Sequence, residues 1–325
     1  MKRNPFLKLL PVLVFAAVCL ALSAFMNPAG YPVRILCLVL LAASLGQCWN
    51  IVGGLANQIS LGHAAFFGIG AYASTILQIK WGISPWLGIP FGMLLASLAA
   101  LLISLPTMRL KGPYFALATL AFGEACHILA VSFPKVTGGP QGVSIPFIGN
   151  SLGMLQFRNA GGYVSVFVAF FVIVCGVYLL MSQGRIGFYL RAIRENEEAA
   201  EMSGVNTLRV KLTGSMVSAS LTAVVGALFA QFTSFFDPDS VFSVTGISIR
   251  AALIAIVGGV GTLSGPVLGA IFVVLIEELL SAYFSNQAAG VAPFIFGVVL
   301  IMVVLIRPQG LSSIKGFSFR RGEQK

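Results

Sequence analysis

Glu124 and His127 stand three residues apart in FGEACHIL, a spacing that puts both on one face of a helix, and the run around them is apolar. A carboxylate beside an imidazole can hold or pass a proton. Glu277 and Glu278 fall late in another apolar run, and Arg250 is the one basic residue inside such a run. Ionisable groups at membrane depth are rare because they are costly, so each is a site candidate. A structural ion pair between Arg250 and a glutamate of another helix accounts for these residues as well as a proton relay does.

Other chemistries find no apparatus. His63 and His127 are the only histidines, and no His/Cys/carboxylate spacing would hold a metal. No G-x-x-x-x-G-K-[ST] loop occurs, and no serine sits in a G-x-S-x-G elbow with a histidine partner. Cys19, Cys37, Cys48, Cys126 and Cys175 all lie in apolar segments, where cysteine acts as a small hydrophobe. No enzyme is expected, and no cofactor.

The elements that carry these residues are membrane spans. Of the 325 residues 58% are hydrophobic and only 9% charged, against roughly 25% charged in soluble domains. Apolar windows of spanning length recur at residues 9–26, 33–52, 59–79, 85–105, 113–132, 163–182, 213–233, 246–257, 266–282 and 291–306. The expectation is an all-α polytopic membrane protein of about ten transmembrane helices in one domain, residues 1–325, with the eighth window too short to settle by itself. Fifteen Lys and Arg then lie on the side of the termini, and only Arg34, Lys80, Lys135 and Arg158 on the other. Basic residues accumulate in cytoplasmic loops, so both termini are expected in the cytoplasm. The net charge of +10 is explained by this bias, with no nucleic-acid partner. The basic start is read as an uncleaved first span, since its apolar run exceeds a signal peptide's.

One span is interrupted. IVGGVGTLSGPVLGAIF, residues 256–272, holds five glycines and Pro266, although a helical glycine costs roughly 1 kcal/mol and a proline roughly 3. Close packing through Gly261-x-x-x-Gly265 and Gly265-x-x-x-Gly269 is one reading. The other rests on IVGGLANQISLGHAAFFGIGA, residues 51–71, which shares the IVGG start and a Ser/Leu/Gly cluster. Glycine-broken segments at corresponding places point to a transporter's pathway, where freed backbone groups meet a polar substrate. Asn57, Gln58, Ser60, Gly258, Gly259, Thr262 and Ser264 are the candidate pathway residues, with Glu124. A third break, Gly112 before Pro113, is first of all a helix start, and Gly112 is kept as a pathway candidate.

The polar segment 183–212, GRIGFYLRAIRENEEAAEMSGVNTLRVKL from Gly184, lies on the inner side. Asn196 can cap a helix whose first turn holds Glu197 and Glu198 and which ends at Gly204. The arginines before it suit an anionic lipid surface. A short self-capped helix is suited to docking into a partner.

This segment resembles the cytoplasmic coupling segment of ABC importer permeases, and it is most similar to the branched-chain amino acid permeases of the M type. The resemblance runs through GGLANQISLGHAAFFGIGAYAS, LKGPYFALATLAFGE, TGGPQGV, VKLTGSMVSASLTAVVGALFA and ALIAIVGGVGTLSGPVLGAIF. It implies the membrane pathway of an importer that moves branched-chain or related hydrophobic amino acids inward across a bacterial inner membrane, with helices arranged as in importers of the vitamin B12 type. It further implies an H-type permease subunit, two cytoplasmic ATPases and a periplasmic binding protein. Asn196, Glu197, Glu198, Ala199, Ala200, Glu201 and Gly204 would couple to an ATPase, and the outer loop 133–162, with seven glycines, would receive the binding protein. Permeases for urea and short amides look similar. A stand-alone proton-coupled carrier using Glu124, His127 or Glu277 is the competing class, and a non-transporting membrane scaffold is a third.

Overall fold

A computed structural model describes residues 5–107, 109–110, 112–284, 290–307 and 310–313. Five long helices open the chain: α1 (Pro5–Phe25), α2 (Tyr31–Ala56), α3 (His63–Trp81), α4 (Pro85–Thr107) and α5 (Pro113–Ser132). The expected outer loop contains a short helix α6 (Pro134–Thr137) and a strand β1 (Val143–Ser144). Then follow α7 (Ala160–Gln183), α8 (Arg185–Glu195), α9 (Glu197–Met202) and α10 (Thr207–Thr233). Strand β2 (Phe235–Phe236), α11 (Pro238–Val241), a π-helical turn (Val244–Ile249), α12 (Arg250–Gly258), α13 (Gly265–Phe284) and α14 (Val291–Ile306) complete the order.

Each of the ten apolar windows falls on helix, except that Met26 and residues 59–62 are non-helical. Among the described residues, seven helical runs are long and apolar enough to cross a membrane: α2, α4, α5, α7, α10, the run Pro238–Gly258, and α13. The short eighth window is thereby part of a 21-residue run through α11, the π turn and α12. Helix α3 falls outside this group because His63, Ser74, Thr75, Gln78 and Lys80 lower its mean hydropathy. The protein is a multi-pass membrane protein.

Helix α2 is the axis. Its apolar window is 83% buried, against 22% in α5, so α2 is surrounded by α7, α10, α12 and α13 while α5 lies at the rim. Lipid supplies no hydrophobic drive between helices, so close approach of small residues does the work. A Cβ on Gly70 of α3 would lie 2.0 Å from the Ala223 carbonyl oxygen, and one on Gly226 of α10 equally close to that of Phe67. Backbone thus meets backbone along α3 and α10, and any side chain at either glycine would force them apart.

Outside the bundle, β1 pairs antiparallel with β2 through Val143–Phe236 and Ser144–Phe235, tying the glycine-rich loop to the end of α10. The Gln156 side chain holds the loop closed, donating to the Pro146 carbonyl at 2.9 Å and accepting from Ile148 N–H at 2.9 Å.

Candidate functional site

The polar segment after α7 contains two helices where one was expected. Helix α8 buries Gly187, Leu190 and Ile193, a three-residue spacing that lays one stripe on the bundle, and sends Arg191 back to the Ser182 carbonyl at 2.7 Å. That stripe was legible in RIGFYLRAI, but the surrounding arginines masked it. Asn196 then caps α9, its side chain accepting from Ala199 N–H at 3.1 Å. Gly204 adopts φ 84°, the left-handed turn that releases the chain toward α10.

The seven expected residues of this segment divide by direction. Glu197 turns inward to Lys211 at 2.5 Å, and Glu201 accepts from the Thr207 hydroxyl at 2.6 Å. Ala200 is buried beneath them. Glu198 and Ala199 are exposed, as is Met202, which is 90% accessible on an otherwise polar helix and escaped notice in the sequence. Lys211 is 3% exposed although it reads as an ordinary loop cation.

The two broken segments have equal length: residues 57–62 separate Ala56 from His63, and 259–264 separate Gly258 from Gly265. Both are fastened to one turn of α2. Trp49 donates its indole N–H to the Ser60 carbonyl at 2.9 Å, and the Asn50 amide accepts from Gly261 N–H at 2.7 Å and donates to the Thr262 carbonyl at 2.9 Å. Neither anchor was singled out in the sequence, because a Trp-Asn pair in an apolar run carries no spacing signal. Backbone groups freed by the breaks are therefore partly consumed inside the protein.

Within the first break Asn57 is exposed in a left-handed turn, Gln58 N–H reaches the Val52 carbonyl at 3.4 Å, and Ser60 is buried. In the second, Thr262 accepts from Gly265 N–H at 3.0 Å and donates to the Gly259 carbonyl at 2.8 Å, so it starts α13. The Ser264 carbonyl accepts from Leu268 N–H in the same turn. Gly258 has backbone at its Cα: a Cβ there would meet the Gly265 carbonyl oxygen at 1.8 Å. Gly259 takes φ 126°. The segment after α7 reaches the same place, since Arg194 of α8 donates to the Gly54 carbonyl at 2.9 Å and lies against Gly261.

Helix α5 runs past the first break, with the Thr119 hydroxyl accepting from Leu61 N–H at 3.0 Å. Further along, Glu124 and His127 share a face as expected, Nδ1 standing 3.5 Å from the Glu124 carboxylate while Nε2 meets Asp239 of α11 at 2.7 Å. The imidazole separates the two carboxylates, and among the described residues no three such groups converge as a metal site. Gly112 is exposed at the other end of α5, so it and Glu124 do not form one site. Arg250 pairs with Glu277 at 2.6 Å, the structural alternative expected for it, and Glu278 accepts from the Tyr31 hydroxyl.

Residues 14–305 match the family model described as branched-chain amino acid transport system, permease component. The chain is 30% identical to the high-affinity branched-chain amino acid transport system permease protein LivM of Escherichia coli K12, over 86% of this chain and 69% of that one. It is 26% identical to the probable LivM permease of Methanocaldococcus jannaschii, over 80% of each. It is 24% identical to the LivH permease of Escherichia coli K12, over 81% of this chain and 88% of that one. No solved structure is significantly similar to the chain.

Proposed function

Because the chain belongs to the family of branched-chain amino acid transport permease components, we propose that it is the membrane-pathway subunit of an ABC importer, moving branched-chain or related hydrophobic amino acids from periplasm to cytoplasm across the inner membrane in ten spans. Both termini, α8 and α9 face the cytoplasm in this reading, and residues 133–162 face the periplasm. Two ATPases, an H-type permease and a periplasmic binding protein complete the assembly; the likeness to both LivM and LivH relatives supports a pair of unlike permeases.

The observation that carries the reading is the pair α8–α9: a capped, polar element held onto the core by Arg194, Glu197 and Glu201, with Ala199 and Met202 left outward. An ATPase surface fits that outward side. On the pathway side, Glu124 is 55% exposed on a rim helix. Facing lipid it would be costly. The second permease subunit, across a wet pathway, covers that face of α5, and Glu124 there meets the ammonium end of the zwitterion. Asn57, Gln58, Gly112, Ser60, Gly258, Gly259, Thr262 and Ser264 lie on or behind the segments that border the inner end of this route.

Among the described residues, the chain Glu124–His127–Asp239 is the arrangement that favours a proton-driven carrier instead. Uptake in proteoliposomes separates the two readings. ATP-dependent leucine uptake that survives a proton ionophore, with two ATPases recovered on gentle purification, is the expected result. Uptake abolished by the ionophore and independent of ATP overturns the importer reading. Uptake of urea but not leucine corrects the substrate alone.

A further inference from the structure

Glu197 and Glu201 are one helical turn apart on α9, and Thr207 and Lys211 are one turn apart on α10. Their pairing is crossed, Glu197 with Lys211 and Glu201 with Thr207, so the two helices lie antiparallel with matching side-chain periods. The buried ammonium of Lys211 makes this ladder more than a surface contact. A lone cation there would be strongly unfavourable, so Glu197 has to follow Lys211 wherever α10 moves. Helix α10 in turn meets α3 with no side chain between them, at Gly70–Ala223 and Gly226–Phe67. A displacement of α9 therefore cannot be absorbed by side-chain slack on the way to the bundle.

We propose that the Glu197–Lys211 and Glu201–Thr207 ladder is the contact that converts movement of α9 into movement of α10, with Glu197 and Lys211 as positioning residues that never touch the substrate or ATP. The proposal rests on the reading of α9 as the ATPase-facing element. It assigns the two glutamates to transmission within this chain, and leaves Ala199 and Met202 to the partner.

The test uses the whole importer in proteoliposomes, measuring leucine uptake and ATP hydrolysis in the same vesicles, with Glu197→Lys, Lys211→Glu and the double exchange. Each single variant places unpaired or like charge at the buried Lys211 site and is expected to assemble in lower yield, and in the complexes recovered uptake per ATP falls about tenfold, within the usual span of coupling between sites. The double exchange restores uptake per ATP to within about threefold of wild type, as a direct pair interaction requires. The neutral double variant Glu197→Gln with Lys211→Met leaves no buried charge and guards against misfolding; it is expected to assemble and remain uncoupled. Normal coupling in the neutral variant overturns the ladder, as does an assembled exchange variant no better than the singles. Wild-type uptake that needs no ATP overturns the importer reading and the ladder with it, whereas failure of the exchange alone leaves the importer reading standing.

Discussion

The Asn50 carboxamide holds Gly261 and Thr262 at once, 2.7 Å from the Gly261 N–H and 2.9 Å from the Thr262 carbonyl, and so bridges a helix to a break some two hundred residues later in the chain. Asn50 itself is fully buried. Replacing it with leucine removes the partner of the half-buried Gly261 N–H and of the carbonyl of the more exposed Thr262. The expected loss is about 1–3 kcal/mol, from two unmade bonds at about 0.5–1.5 each. Asn50→Asp keeps the acceptor for Gly261 N–H but sets an oxygen against the Thr262 carbonyl and a carboxylate in a buried site, so it should be no milder. Thermal unfolding of the detergent-solubilised protein reads both; equal melting of Asn50→Leu and wild type would refute the bridge.

Glu197 and Lys211 are unequal partners, since their side chains are 26% and 3% exposed. Lys211→Met leaves a carboxylate that can turn to water. Glu197→Gln leaves a buried ammonium without its counter-charge, a situation that costs about 3–5 kcal/mol. Glu197→Gln is therefore the more destabilising of the two, and a melting series in which Lys211→Met falls further would contradict the burial of Lys211.

Met202 of α9 is 90% exposed. If it is an apolar anchor for an ATPase, Met202→Lys leaves folding unchanged and weakens recovery of the ATPases by roughly tenfold, about 1.4 kcal/mol. Quantitative co-purification against a tagged permease is the measurement. Undiminished recovery would remove Met202 from the interface.

The Glu124 carboxylate is half exposed, so Glu124→Gln should not lower the melting temperature. Uptake should fall by about tenfold, equivalent to about 1.4 kcal/mol in the rate-limiting barrier. Wild-type uptake by this variant would take Glu124 off the pathway.

At Gly226 the Cβ of an alanine would lie 2.0 Å from the Phe67 carbonyl oxygen. Backbone cannot rotate away as a side chain can. Gly226→Ala should cost at least about 1–3 kcal/mol by overpacking, seen as reduced yield of folded protein. A Cβ on the half-buried Gly176 of α7 would meet nothing within 4 Å, and Gly176→Ala is the matched control.

Much was legible along the chain because membrane spans, caps and charge bias are local signals. The ten apolar windows, the cap at Asn196 and the turn at Gly204 depend only on composition and on residues within a few positions. The likeness of IVGGLANQISLGHAAF and IVGGVGTLSGPVLGAIF marked two breaks, and both are six-residue interruptions between helices. Helix α8 was missed because its stripe of Gly187, Leu190 and Ile193 is diluted by arginines.

Sequence by itself determined that this is a multi-pass helical membrane protein of the branched-chain amino acid permease family, and along which stretches its apolar helices run. Only the tertiary structure decided which way each polar group faces. Asn50, Lys211 and Arg194 look alike in sequence to any polar residue near a helix end. Their partners Gly261, Glu197 and Gly54 are set by which helices cross, and helix crossing depends on contacts between distant small residues that no local pattern encodes.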